Sequence, residues 1–122
     1  MFCCIQIFKY QRKCGRYSLH EHQGLSNSWK LPEIVKFESE DDVMKVRADM
    51  CQFGMISRTA GVGSPLGHVL KPTGSLTNSK YIAAELNRRC PRMHEHVALV
   101  EGRAAAAAIY PPGLCCAICR GL

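Results

Sequence analysis

The chain has 122 residues, a formal net charge of +6 and eight cysteines, which leaves room for at most one small domain with a modest core. No stretch approaches the roughly 20 apolar residues of a membrane helix, and residues 1–8, interrupted at Gln6 and followed by Lys9, are too short an apolar run for a secretory leader. The adjacent pairs Cys3-Cys4 and Cys115-Cys116 sit awkwardly in a disulfide framework, so the cysteines read as reduced thiols of an intracellular chain, nuclear or cytoplasmic, with no membrane partner.

Residues 1–19 form a poorly defined N-terminal segment in which Phe2, Ile5, Ile7 and Phe8 suggest a short strand; residues 20–122 are expected to form a single small unit. Ser26-Asn27-Ser28 supplies capping side chains ahead of a helix over 29–37, with Pro32 and Glu33 in its first turn. Glu38-Ser39-Glu40-Asp41-Asp42 reads as a solvated turn, since it lacks the glycine and spaced oxygen ligands of a calcium loop. Residues 43–55, rich in Val, Met and Phe, predict a strand that enters Cys51 and turns at Gly54. The glycine-rich stretch 57–67 is a hairpin-like connection; a phosphate-gripping loop would lead straight into a helix, whereas Pro65 and a further extended segment follow. Residues 68–70 and 75–77 are extended, with Pro72 placing them at an edge or bend. Thr77-Asn78-Ser79 caps a helix over 80–89 with Ile82 and Leu86 on one face, and Pro91 ends it. The alanines of 102–110 favour a helix that stops at Pro111-Pro112, and a last helix fits 113–120. The sum is a small, irregular α/β fold of two or three strands and three or four short helices, expected to be an incomplete domain.

Four features bear on chemistry. Cys51, Cys90, His94 and His96 offer thiolate and imidazole ligands around one helix end, the donor set of a tetrahedral zinc site. Against it, histidines two apart point to opposite sides of an extended segment, which leaves two buried cysteines and two surface histidines as the alternative. Cys116-Ala117-Ile118-Cys119 resembles a redox pair in spacing, yet Pro-Pro-Gly-Leu stands where a strand should precede it, so packing of a terminal helix explains it better. His20-Glu21-His22 offers general acid/base groups or weak metal ligands, and on periodicity is a polar loop. Lys71 and Thr73, with Arg88 and Arg89 further on, are candidate contacts to a nucleic acid, although a bend and a helix cap account for the first two.

The blocks Gly15-Arg16-Tyr17-Ser18-Leu19-His20-Glu21-His22, Ser28-Trp29-Lys30-Leu31-Pro32-Glu33, Asp49-Met50-Cys51-Gln52-Phe53-Gly54, Lys71-Pro72-Thr73-Gly74-Ser75-Leu76-Thr77-Asn78-Ser79 and Arg89-Cys90-Pro91-Arg92-Met93-His94-Glu95-His96 together resemble a segment of copia-like retrotransposon Pol polyproteins of the dinoflagellate type. The likeness continues through Tyr110-Pro111-Pro112-Gly113-Leu114-Cys115 and covers residues 15–122. More distantly, the same segment is similar to the C-terminal half of phage-type DNA cytosine methyltransferases. That likeness would make Glu21 the acidic residue facing the target base, although His22-Gln23 stands where a proline is expected. It also implies a cofactor turn and a Pro-Cys nucleophile loop that this sequence does not contain, so no S-adenosylmethionine binding is expected and no catalytic residue is assigned. The expectation is a non-catalytic fragment or accessory segment of a mobile-element polyprotein, partnered by the rest of that polyprotein or by nucleic acid. The alternatives are a methyltransferase-like half-domain needing its missing half, and a zinc-stabilised nucleic-acid-binding module.

Overall fold

The computed structural model describes residues 2–100 and 103–122. Its centre is a three-stranded antiparallel sheet in the order β1-β5-β2, built from β1 (Leu19–Gln23), β2 (Met44–Asp49) and β5 (Pro72–Thr77). A two-stranded hairpin, β3 (Ile56–Arg58) with β4 (Leu66–His68), projects between β2 and β5. The helices are α1 (Phe2–Lys13), α2 (Pro32–Glu38), α3 (Lys80–Leu86), the single turn α4 (Arg103–Ala106) and α5 (Pro112–Gly121). This is a small irregular α/β fold, in which β1 and the short β3–β4 hairpin add to the two or three strands expected.

Strand alternation makes the sheet two-sided. Leu76 of β5 points into a cluster with Ile5, Trp29, Ile34, Phe37 and Val43, so α1 and α2 cover that face. Ala48 and Val46 of β2 face the other way, onto Ile82 and Leu86 of α3 and Leu114 and Ala117 of α5. The register sets His22 of β1 and Arg47 of β2 opposite Gly74 on the first face. Gly74 has no side chain for a packing reason: a Cβ there would lie 2.7 Å from Trp29, whose indole N–H donates to the Gln23 carbonyl at 2.8 Å. Ser79 caps α3 by accepting the Ile82 N–H, as expected.

Several expectations are corrected. The opening segment is a helix, held by the burial of Ile5 against α2, and Phe2, Ile5, Ile7 and Phe8 do not form a strand. Residues 20–22 belong to β1 rather than to a polar loop; pairing with β5 half-buries them. Pro72, expected at an edge or a bend, opens the central strand directly after Lys71, whose φ is 22°; its missing N–H is tolerated at a first position. The 43–55 strand stops at Asp49. The 80–89 helix stops at Leu86, where the Asn87 N–H closes onto the Ala83 carbonyl. Of the alanine-rich stretch, Gly102 lies outside the described residues and only one turn is helical. Cys115, Cys116 and Cys119 are exposed, because α5 packs through Leu114, Ala117 and Gly121. No helix among the described residues is long and apolar enough to cross a membrane.

Candidate metal centre

Three separately anchored segments bring four ligands together. After β2 the chain enters a 3-10 turn, Met50–Phe53, in which Met50 and Phe53 are drawn into the core. Gly54 closes this turn at φ 85°, a left-handed conformation that suits glycine, and its N–H returns to the turn carbonyls. The Met50 N–H donates to the Leu70 carbonyl at 2.9 Å, which ties the turn to the return leg of the hairpin. Cys51 is therefore fixed by the packing of its neighbours.

Cys90 is fixed differently. The Asp49 N–H donates to the Arg88 carbonyl at 2.9 Å, and one Asp49 carboxylate oxygen, Oδ2, accepts the Cys90 N–H at 2.8 Å. One buried acid thus holds the segment leaving α3 against the end of β2, two residues from Cys51. Beyond Cys90 the chain bends. Arg92 takes a left-handed conformation at φ 61°, unusual for a residue with a side chain. That bend turns its N–H back to the Cys90 sulfur at 3.3 Å. A second bend at His94 and a parallel bridge between His96 and His68 then aim both imidazoles at Cys90. The Val97 N–H donates to the His68 carbonyl at 2.8 Å and pins the far end. Histidines two apart would diverge in an extended segment; this one is bent, so they converge.

The result is a cluster in which the ligand atoms of Cys51, Cys90, His94 and His96 all lie within 4.8 Å of one another. His94 Nε2 and His96 Nε2 are each 3.5 Å from the Cys90 sulfur. A tetrahedral zinc ion with ordinary bond lengths would separate sulfur from nitrogen by about 3.6 Å, so these two spacings already suit one ion. The cysteines are buried and the histidines half-buried. Burial pushes the Cys51 thiol up; the Gln52 amide offsets part of this and the neighbouring Cys90 adds to it. Desolvation, then His68 and His96, lower the His94 pKa, which keeps that imidazole neutral and able to ligate. His68 lies outside the cluster with its ring centroid 4.2 Å from that of His94.

Sequence reasoning named the four ligands but missed Asp49 and His68. An acid at the end of a strand has no distinctive local pattern, and His68 becomes a neighbour only through the bridge to His96. Of the candidate nucleic-acid contacts, Arg88 and Arg89 follow α3 beside Glu85 and Asp49, while the polar groups of Lys71 and Thr73 are engaged within the chain. Thr73 is 1% exposed and its hydroxyl donates to the Lys71 carbonyl, while the Lys71 ammonium donates to the Ala107 carbonyl at 2.8 Å. Arg88 lies over the Phe53 ring and pairs with Glu85. Thr73 is part of the sheet's buried face. Glu21 is half-buried on β1, and burial raises its pKa against the opposing pull of Lys71 and His22. No protein-family model matches the chain, and neither a curated protein nor a solved structure does.

Proposed function

We propose that Cys51, Cys90, His94 and His96 bind one zinc ion and that the chain is a zinc-stabilised binding module, an accessory and non-catalytic segment of the polyprotein class that its sequence blocks resemble. The carrying observation is the convergence of two sulfurs and two imidazole nitrogens within 4.8 Å. Thiolate with imidazole in a tetrahedral set selects zinc over the hard cations. Four protein ligands would fill the shell and leave no position for water or substrate, which is the arrangement of structural rather than catalytic zinc. The ion would close the loop-rich end of a small domain, where few apolar side chains are available to do so.

The test is metal analysis of protein refolded with zinc and dialysed free of excess. The expected result is one zinc per chain, lost when Cys51 and Cys90 are both replaced by serine. Protein that folds and retains no zinc would refute the reading.

A further inference from the structure

Guanidinium groups and carboxylates are unevenly matched beside the metal centre. Arg47 and Arg89 both approach Asp49, at 3.6 and 3.5 Å, one on each carboxylate oxygen. Arg88 and Arg120 both reach a single oxygen of Glu85, at 3.0 Å each. Among the described residues, four arginines therefore share two acids, and Arg88 and Arg89, neighbours in the chain, link the two groups. The opposite ratio holds at the turn after α2, where, among the described residues, Arg12 alone pairs with both Asp42 and Glu40.

The geometry leaves donors available. Asp49 is 3% exposed and its Oδ2 already accepts the Cys90 N–H, so its charge lies beneath the arginines that approach it. Arg47 Nε is buried, so only the outer part of that guanidinium faces solvent. The four arginine side chains are 35% to 57% exposed. Arg92, also exposed, follows three residues after Arg89. Packing like charges this closely is unfavourable unless an anion joins them, and planar guanidinium forks match phosphate oxygens better than any other side chain.

We infer that Arg47, Arg88, Arg89 and Arg120 form a surface that binds the phosphodiester backbone of a nucleic acid. The exposed part of this surface offers chiefly guanidinium groups; Phe53, under Arg88, is buried, and the exposed Tyr81 stands one helical turn before Glu85. Recognition is therefore of backbone charge, with no reading of sequence. The inference goes beyond the metal reading and requires only the fold around Asp49 and Glu85.

The experiment is fluorescence anisotropy of a labelled 20-nucleotide DNA, single-stranded and as duplex, titrated with the full chain at salt concentrations of about 50 to 200 mM. Affinity should fall with salt at a logarithmic slope of about −3 to −4, as expected for four phosphate contacts. The double variant R89Q/R120Q should bind at least tenfold more weakly, with a slope shallower by about two. The control K30Q/K36Q removes the same two charges from the α2 side and should change affinity less than twofold. Equal losses in the two variants, no saturable binding at the lowest salt, or tighter binding to phosphatidylserine vesicles than to DNA would each overturn the inference. Zinc content measured on every sample separates this outcome from failure of the metal reading.

Discussion

The sheet face under α1 and α2 and the segment that follows α3 are held by different means. On one side, α1 and α2 deliver Ile5, Ile34 and Phe37 onto Leu76, all essentially without exposure, and Trp29 closes over Gly74. Regular helices repeat an apolar residue every three or four positions, so hydrophobic burial alone can hold that layer. Beyond α3 and the hairpin, the chain runs from 87 to 100 with a single isolated bridge as its only strand pairing. No periodic apolar face exists there, and polar cross-links take over: Asp49 on Cys90, Arg92 on sulfur, His96 beside His68. Where the chain lacks repeats, specific bonds replace area.

The largest effect should come from cutting the metal link. Cys90→Ser should abolish zinc binding and the stability that goes with it, about 4 kcal/mol at free zinc a thousandfold above its dissociation constant. Phe37→Ala, on the side of α1 and α2, should cost about 3 kcal/mol or more through the cavity it leaves. The comparison lies in the chelator response. Denaturant melts with and without a zinc chelator should show a large difference for the parent and for Phe37→Ala, and none for Cys90→Ser. A chelator-insensitive parent would erase the distinction between the two regions.

A smaller effect tests how the centre is positioned. Asp49→Ala removes the acceptor for the buried Cys90 N–H and should cost about 1–3 kcal/mol. It should also broaden or weaken the cobalt-thiolate absorption of the cobalt-substituted protein. Asp49→Asn keeps a carbonyl oxygen in the same place and should restore most of that spectrum. If alanine and asparagine give the same cobalt spectrum, Asp49 contributes to packing only.

The smallest effect lies on the α1 side and is a pH dependence. Burial, chiefly, and then His22 depress the pKa of His20 below its ordinary value of 6.5. A depressed value means the unfolded chain binds the proton first, so the stability from neutral His20 is complete above about pH 6.5 and is lost as pH falls through the folded value. Glu21 works in the opposite sense: its pKa is raised, so its contribution is present at low pH and lost as pH rises through the folded value. His20→Gln should flatten the stability profile just below pH 6.5 in chelator-treated protein. An unchanged profile would mean that His20 is solvated.

The legible parts of the sequence were those with local causes. Ser79 as a cap, Ile82 and Leu86 as one buried face, and Pro65 after the glycines each fix a local geometry, and the structure follows them. The helical start was hidden because Phe2 to Phe8 carry β-favouring residues, and only the contact of Ile5 with α2 decides the matter. Pro72 signalled an edge or a bend, and it opens the central strand, where a first residue can be proline even at a sheet centre. For the metal cluster, residue types gave the donor set and the spacing argued against it. The deciding fact, a left-handed Arg92 that folds the knuckle, depends on long-range pinning by Asp49 and His68 and has no local signature. The arginine surface was half visible, as Arg88 and Arg89, but Arg47 and Arg120 join it only through tertiary contact.

The central claim is that two thiolates and two imidazoles meet at one ion. X-ray absorption at the zinc edge, on the reconstituted full chain, measures this directly. The account predicts a first shell of two sulfurs at about 2.3 Å and two nitrogens at about 2.0 Å. A shell of nitrogen and oxygen alone, or one containing a single sulfur, would contradict it.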